Sequence, residues 1–205
     1  MAEHQPKKVF IAGPVGQLEG LYHQGETGKP AIVVCHPHPV YGGTMRNKVV
    51  YWMSRAFEEL GFSVLRFNFR GVEKSEGEWD EGDGEARDVT AAIDWLENQN
   101  PDTPLYLAGF SFGTFAGLQA ARNDKRIVRL LAVAPAVNIW AFDFLKDEKR
   151  PLDIIQGTED EIVPYALVQA WVKEHPQVTF HTIEGAGHFF PNHMDELMAI
   201  CQQSW

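Results

Sequence analysis

Short apolar runs recur along the chain from residue 31 onward, and each is followed by a polar turn and a segment of helical length. The apolar runs cover residues 31–35, 62–69, 104–110, 127–134, 151–156 and 178–183. The first run has no polar side chain from 31 to 34, which is typical of a central strand buried on both faces. The segments at about 46–60, 85–98, 112–122, 164–173 and 191–202 predict helices. This alternation predicts an α/β fold with a mostly parallel central sheet and helices on both faces.

Two regions depart from the alternation. Residues 9–12 and 17–22 are short apolar runs joined by a Gly- and Pro-containing turn, which predicts an N-terminal antiparallel hairpin at the sheet edge. Residues 135–150 are irregular, and their alternating aromatic residues either line a substrate pocket or pack on the body of the protein. This segment is the only room for a lid and it is short. We therefore predict a single domain over residues 1–205 with minimal or no cap.

Composition and charge narrow the classes of partner. The formal net charge of −10 argues against nucleic acid and against an anionic membrane surface. No run reaches the ~18 consecutive apolar residues of a membrane span, and residues 1–8 lack the apolar core of a secretion signal. Cys35 and Cys201 are widely separated, so free thiols are favoured over a disulfide. We expect a cytoplasmic protein.

The sequence Gly-Phe-Ser-Phe-Gly at residues 109–113 ends one apolar run and begins a small-residue helical segment. A strand that turns sharply into a helix holds the apical residue in a strained conformation and exposes its hydroxyl. The glycines on either side leave room for that turn. The motif predicts that Ser111 is a nucleophile, whereas the alternative is a chance occurrence in a Gly-rich loop.

The first buried strand runs into His36-Pro37-His38-Pro39, an irregular loop at the end of the sheet where ligands bind in such folds. A metal site is disfavoured, because only Cys35 adds a ligand nearby. We favour a backbone N–H that binds an oxyanion, and since proline cannot donate, the donor is His38 or a residue beyond Pro39. The alternative is a rigid turn with a capping histidine.

A candidate helix cap and an acidic stretch follow this loop along the chain. Thr44 is predicted to cap the helix that begins near residue 46. The acidic stretch at residues 76–83 is predicted to be a solvated loop rather than a carboxylate metal site. We therefore expect neither a metal ion nor a cofactor.

Two later turns carry a resemblance to a known family. Gly-Thr-Glu-Asp-Glu-Ile-Val-Pro occupies residues 157–164, and Gly-Ala-Gly-His-Phe-Phe occupies residues 185–190. Together with Ser111, these turns give the chain order Ser111, Asp160, His188. We expect these three residues to follow three successive parallel strands. The arrangement resembles the α/β-hydrolase superfamily, and residues 36–43 resemble a small, lidless, bacterial, carboxylesterase-like subgroup of serine hydrolases.

The chain departs from the resembled pattern at two positions. Residues 68–77 resemble an Arg-Gly-x-Gly-x-Ser segment in which Glu73 replaces the second glycine. Pro37 stands where many relatives carry the glycine of a His-Gly-x oxyanion loop. The second departure leaves open which N–H acts as the second oxyanion donor.

The resemblance implies a role for each site residue. Ser111 is the nucleophile, His188 the base and Asp160 the acid, with Glu159 and His193 as the rival acid and base. The amides of Phe112 and His38 bind the oxyanion. The expected substrate pocket is lined by His36, Tyr41, Trp140 and Phe189.

The resulting functional hypothesis is a serine hydrolase that cleaves a small carboxylic ester or thioester through an acyl-serine intermediate. The alternatives are a catalytically inactive binding protein of the same fold and a peptidase. The expected partner is a small-molecule substrate rather than nucleic acid or a membrane. The edge hairpin at residues 9–22 is a candidate homodimer contact.

Overall fold

Among the residues that the structure describes, eight strands form one sheet in the order β1-β2-β4-β3-β5-β6-β7-β8. The structure, a computed structural model, describes residues 5–203 and 205. The strands are β1 (Lys7–Gly13), β2 (Gly16–His23), β3 (Ala31–Cys35), β4 (Ser63–Phe67), β5 (Leu105–Phe110), β6 (Ile127–Val133), β7 (Leu152–Gly157) and β8 (Val178–Ile183). β2 pairs antiparallel with both β1 and β4, and every other pair is parallel. The predicted mostly parallel sheet with an N-terminal antiparallel hairpin is confirmed.

In the part of the chain that the structure describes, five helices cover the two faces of the sheet. They are α1 (Lys48–Glu59), α2 (Asp83–Gln99), α3 (Phe112–Ala121), α4 (Tyr165–Lys173) and α5 (Met194–Gln203). α1 and α5 pack together on one face, and α2 and α3 pack together on the other. Strand β3 shows why the sheet needs both layers, since Ile32 and Val34 face one core while Val33 and Cys35 face the other.

The three strands that carry the candidate site are not all successive. Ser111 follows β5, Asp160 follows β7 and His188 follows β8. Strand β6 lies between β5 and β7 in the sheet. The prediction that these residues follow three successive strands is therefore wrong, because it passed over the intervening strand. All three still lie beyond the carboxyl ends of parallel strands, at one edge of the sheet.

Two predicted helix starts also differ from the structure. Asn47, not Thr44, caps α1, since its Oδ1 accepts from the Val49 N–H at 2.9 Å. The hydroxyl of Thr44 instead accepts from the Arg46 N–H at 3.1 Å and closes the preceding turn. The terminal helix begins at Met194 rather than near residue 191.

The connection between β6 and β7 packs on the body of the protein over part of its length. It contains a short 3-10 helix, Asp143–Leu145, and the side chains of Phe142 and Leu145 are buried in the core. The role of residues 135–150 as a lid stays a prediction, as does the single-domain boundary.

Several expected absences concern the described residues only. Within residues 5–203 and 205, no helix is long and apolar enough to cross a membrane. No cluster of three or more metal-ligating side chains occurs in that part of the chain. Cys35 and Cys201 are buried free thiols. The first four residues of the polar segment 1–8, on which the cytoplasmic expectation depends, lie outside the described residues.

Candidate active site

Ser111 lies at a strained turn between β5 and α3. Its φ of 53° and ψ of −120° fall in a region that side chains other than glycine rarely adopt. The flanking glycines make the turn feasible, because a Cβ on Gly109 would lie 2.4 Å from the Gly113 carbonyl oxygen. A Cβ on Gly113 would lie 2.5 Å from the Cys35 carbonyl oxygen. The local sequence therefore dictates the position of the serine hydroxyl at the apex of this turn, at the start of a helix.

Asp160 is fixed by hydrogen bonds from its own turn. Its Oδ1 accepts from the backbone N–H groups of Ile162 and Val163, at 2.9 and 2.7 Å. The side-chain amide of Gln156 donates to Oδ2 at 3.0 Å. These donors stabilise an ionised carboxylate and hold its orientation. Asp160 caps this turn and not helix α4, which begins at Tyr165 without a side-chain cap.

His188 joins Asp160 to Ser111. Its Nδ1 lies 2.8 Å from Asp160 Oδ2, and its Nε2 lies 3.1 Å from Ser111 Oγ. Because the carboxylate can only accept, Nδ1 carries a proton and the neutral ring presents Nε2 as an acceptor to the serine hydroxyl. His188 is 2% exposed. The structure thus brings together the three residues that the sequence pattern singled out.

The rival acid and base lie elsewhere. Glu159 is exposed, and its backbone N–H donates to the carbonyl of Ala186. His193 precedes helix α5, and its Nδ1 lies 2.8 Å from the carbonyl oxygen of Pro191. Neither side chain hydrogen-bonds to Ser111, Asp160 or His188 within the residues that the structure describes.

Glu161 also contacts the site, and sequence reasoning gave it no role. Its Oε2 accepts from the backbone N–H of His188 at 3.1 Å. A Cβ on Gly187 would lie 2.9 Å from the same oxygen, so the glycine makes room for the carboxylate. Consecutive residues of one turn, Asp160 and Glu161, therefore hold the ring and the backbone of His188. The available signal was a second carboxylate directly after the candidate acid.

The loop after β3 offers few free amides near Ser111. Four amides of this loop donate within the loop itself. The Val40 N–H donates to His38 Nδ1, the N–H groups of Tyr41 and Gly43 donate to the His38 carbonyl, and the Gly42 N–H donates to the Pro39 carbonyl. The His38 N–H has no acceptor among the described residues. It is thus the amide of residues 38–43 that remains available to a ligand. The Phe112 N–H is similarly available, because it belongs to the first residue of a helix.

A cavity of about 510 Å³ opens onto these groups. It is lined by Pro37, His38, Tyr41, Gly42, Gly43, Asn47, Ser111, Phe112, Ala136, Ile139, Trp140, Ile162, His188 and Phe189. The lining contains no Asp, Glu, Lys or Arg. Three of the expected pocket residues, Tyr41, Trp140 and Phe189, line it. Its size falls in the range of pockets for small molecules, ~300–1,000 Å³.

The fourth expected pocket residue, His36, does not line the cavity, and that prediction is wrong. Its side chain is fully buried against the Phe69 ring. Its Nδ1–H donates to the carbonyl of Pro37 at 2.6 Å, and its Nε2 accepts from the Phe69 N–H at 3.0 Å. Burial lowers the pKa of His36 to about 3. His36 is therefore a neutral structural residue, and its two hydrogen bonds fix the start of the loop after β3.

Trp79 packs behind the cavity, although it lies within the acidic stretch at residues 76–83 that was predicted to be solvated. Its ring lies 4.6 Å from His38 and 5.2 Å from Phe112, measured between centroids. The loop that carries it is held by Arg70, whose buried guanidinium binds both oxygens of the buried Asp88. Sequence reasoning missed this contact because the aromatic residue stands alone among charged neighbours.

Glu73 stands where the Arg-Gly-x-Gly-x-Ser segment has its second glycine, and its backbone conformation explains why a glycine suits this position. Its φ is 48°, a value that glycine adopts without strain. The side chain offsets some of that strain, because its carboxylate accepts from the Asn68 side-chain amide at 2.8 Å and pairs with Arg46. The departure from the Arg-Gly-x-Gly-x-Ser pattern is therefore accommodated locally.

Known proteins share this architecture along the whole chain. A family model for the alpha/beta hydrolase fold matches residues 30–148. The uncharacterized protein RP471 of Rickettsia prowazekii is 39% identical over 194 residues, which cover 89% of this chain and 82% of the relative. An alpha-beta serine hydrolase homologue from Coxiella burnetii superposes with a TM-score of 0.92 at 38% identity, covering 99% of both chains. XC6422 from Xanthomonas campestris, an α/β serine hydrolase without a lid, superposes with a TM-score of 0.90 at 36% identity. The match covers 100% of this chain and 95% of the XC6422 chain. With more than half of its length matched by the family model, the chain belongs to the α/β-hydrolase family.

Proposed function

We propose that the protein is a serine hydrolase that cleaves a small carboxylic ester or thioester through an acyl-Ser111 intermediate. The observation that carries the proposal is the hydrogen-bonded series from Ser111 Oγ through His188 to Asp160, with separations of 3.1 and 2.8 Å. This series opens onto a cavity whose lining contains no Asp, Glu, Lys or Arg. Such a cavity suits an uncharged ester carbonyl.

The residues supply each step of acyl transfer. His188 Nε2 takes the proton from Ser111 Oγ as the oxygen attacks the carbonyl carbon, and the carbonyl π electrons move to oxygen. The amides of Phe112 and His38 donate to the resulting oxyanion, while Asp160 stabilises the imidazolium. When the tetrahedral intermediate collapses, the bond to the leaving oxygen or sulfur breaks and that atom takes the proton from Nε2. In the second half, His188 Nε2 takes a proton from water as the water oxygen attacks the acyl carbon. The bond from that carbon to Ser111 Oγ then breaks, Oγ takes the proton from Nε2, and the acid is released.

The two alternative functions make different demands on the site. An inactive binding protein needs no aligned proton acceptor at the serine, so the 3.1 Å contact between His188 and Ser111 favours an enzyme. A peptidase needs donors and acceptors that bind an extended main chain. The cavity is lined instead by aromatic and aliphatic side chains, with Asn47 as its one carboxamide. An ester or thioester therefore fits better than a peptide.

The test is covalent labelling of the nucleophile. We expect a fluorophosphonate probe to label wild type at Ser111, as located by peptide mapping, and Ser111→Ala to lose both labelling and p-nitrophenyl acetate turnover. Ser54→Ala is the matched control, because that buried hydroxyl hydrogen-bonds within α1, to the carbonyl of Val50. A folded wild-type protein that stays unlabelled would refute the proposal. Labelling at another residue would also refute it.

A further inference from the structure

Exposed apolar side chains are concentrated around the mouth of the candidate active site. In the described residues ten large apolar side chains are strongly exposed. Four of these line the cavity that contains Ser111, namely Tyr41, Ile139, Ile162 and Phe189, with exposures of 85, 62, 42 and 48%. We call these four residues the apolar rim. Single exposed apolar residues are ordinary, whereas a cluster around one cavity indicates a binding surface.

The apolar rim is built from four separate segments of the chain. Tyr41 belongs to the short 3-10 helix Pro39–Tyr41, and Ile139 lies in the connection after β6. Ile162 and Phe189 lie in the turns that carry Asp160 and His188. A side-chain hydrogen bond of 3.0 Å from Asn138 to the Ile162 carbonyl joins two of these segments. The clustering is therefore a product of the fold and not of one apolar stretch.

The cavity presents no acidic side chain and no lysine or arginine to a substrate. The lining has no Lys or Arg to bind a carboxylate or phosphate, and no Asp or Glu to bind a cation. Burial lowers the pKa of His38, whose ring is packed between Tyr41 and Trp79 at centroid distances of 4.5 and 4.6 Å. Substrate groups bound here are therefore recognised by apolar contact and not by charge.

We infer that the substrate carries an apolar chain of roughly six carbons or more, which leaves the cavity and lies against the apolar rim. This inference rests on the proposed function. The rim is continuous with the cavity, so a protein partner bound on it would cover the nucleophile. A second copy of the chain seated on the rim would likewise cover the nucleophile, and the net charge of −10 opposes an anionic membrane. A neutral chain attached to the scissile ester meets neither obstacle.

The expected effect follows from methylene burial. A fully buried methylene raises kcat/KM about fourfold, and one that lies on an open rim raises it about twofold. Two ester series distinguish the side on which the chain lies. p-Nitrophenyl acetate, butanoate and hexanoate extend the acyl group, and ethyl, butyl and hexyl acetate extend the alcohol, all below their aggregation limits.

We expect kcat/KM to rise about twofold or more per methylene in at least one series. Ile139→Ser and Tyr41→Ser alter separate segments. In that series, each should lower the ratio of kcat/KM for the six-carbon ester to kcat/KM for the two-carbon ester by about threefold or more. Leu167→Ser is the matched control, since this aliphatic residue is 48% exposed on α4 and does not line the cavity. It should leave the ratio unchanged.

Several results would overturn the inference. One is a flat dependence on chain length in both series while fluorophosphonate still labels Ser111, and this result leaves the proposed function intact. Another is an equal chain-length ratio in Ile139→Ser, Tyr41→Ser and Leu167→Ser. A dimer that Tyr41→Ser dissociates in sedimentation would assign the rim to a second copy instead. Absence of turnover and of labelling would refute the inference and the proposed function together.

Discussion

His36 should make the folded protein lose stability as the pH falls below neutrality. Its ring is neutral in the folded state, because Nε2 accepts from the Phe69 N–H and no proton fits between the two nitrogens. Burial lowers its pKa from 6.5 to about 3. The unfolded chain thus binds a proton that the folded chain excludes. The stabilisation is complete above pH 6.5 and is lost progressively as the pH falls from 6.5 toward 3.

The size of the effect follows from this difference in pKa. Each pH unit inside the window costs ~1.4 kcal/mol of unfolding free energy for one proton. Between neutral pH and a pH two units below 6.5, His36 should therefore remove ~2–3 kcal/mol of unfolding free energy. This is a substantial share of the ~5–15 kcal/mol by which a typical domain is stable.

The comparison variant is His36→Gln, whose side-chain oxygen can accept from the Phe69 N–H but cannot titrate. It should be less stable than wild type at neutral pH by ~1–3 kcal/mol, because the donor to the Pro37 carbonyl is lost. The difference should narrow as the pH falls, since the variant lacks the acid penalty. Urea unfolding followed by tryptophan fluorescence at several pH values measures both curves.

Other titrating groups act equally on wild type and His36→Gln, so the difference between the curves reports His36 alone. Parallel stability curves across the window would refute the neutral, buried assignment. A difference that widened on acidification would reverse the sign of the argument and refute it as well.

Three further perturbations concern the site and its supports. Asp160→Asn should lower kcat for p-nitrophenyl acetate by ~10⁴-fold with the fold retained, because the imidazole loses its fixed tautomer and its anion; steady-state kinetics with circular dichroism checks this, and near-normal kcat would contradict it. Glu161→Ala should lower kcat about tenfold by freeing the His188 backbone, whereas Glu161→Gln keeps an acceptor and should restore most of it. Glu159→Ala is the control, and an equal loss in all three variants would show a general disturbance of the turn. Arg70→Met should cost ~3–5 kcal/mol in urea unfolding, because it leaves Asp88 buried without its partner, and a change under 1 kcal/mol would contradict a buried pair.

The sequence determined those features that depend on neighbours along the chain. The period and length of the apolar runs predicted the strands and most of the helices, since burial on one or two faces of a regular element imposes a repeat on the sequence. The turn at Ser111 was equally local, because Gly109 and Gly113 are required within a few residues of it. The local sequence did not decide which residue caps helix α1. Thr44 and Asn47 are both competent caps, and only the path of the loop selects Asn47.

Tertiary structure decided everything that joins distant segments. Ser111 and His188 are 77 residues apart, so no periodicity shows that their side chains meet. Sequence reasoning placed both His36 and His38 at the ligand site, but the fold buries the first against Phe69 and leaves the second in the cavity. The same dependence explains the unforeseen contacts of Trp79 and Glu161. Residue type and spacing predict which chemistry a chain can perform, whereas packing of distant elements decides which copy of each residue performs it.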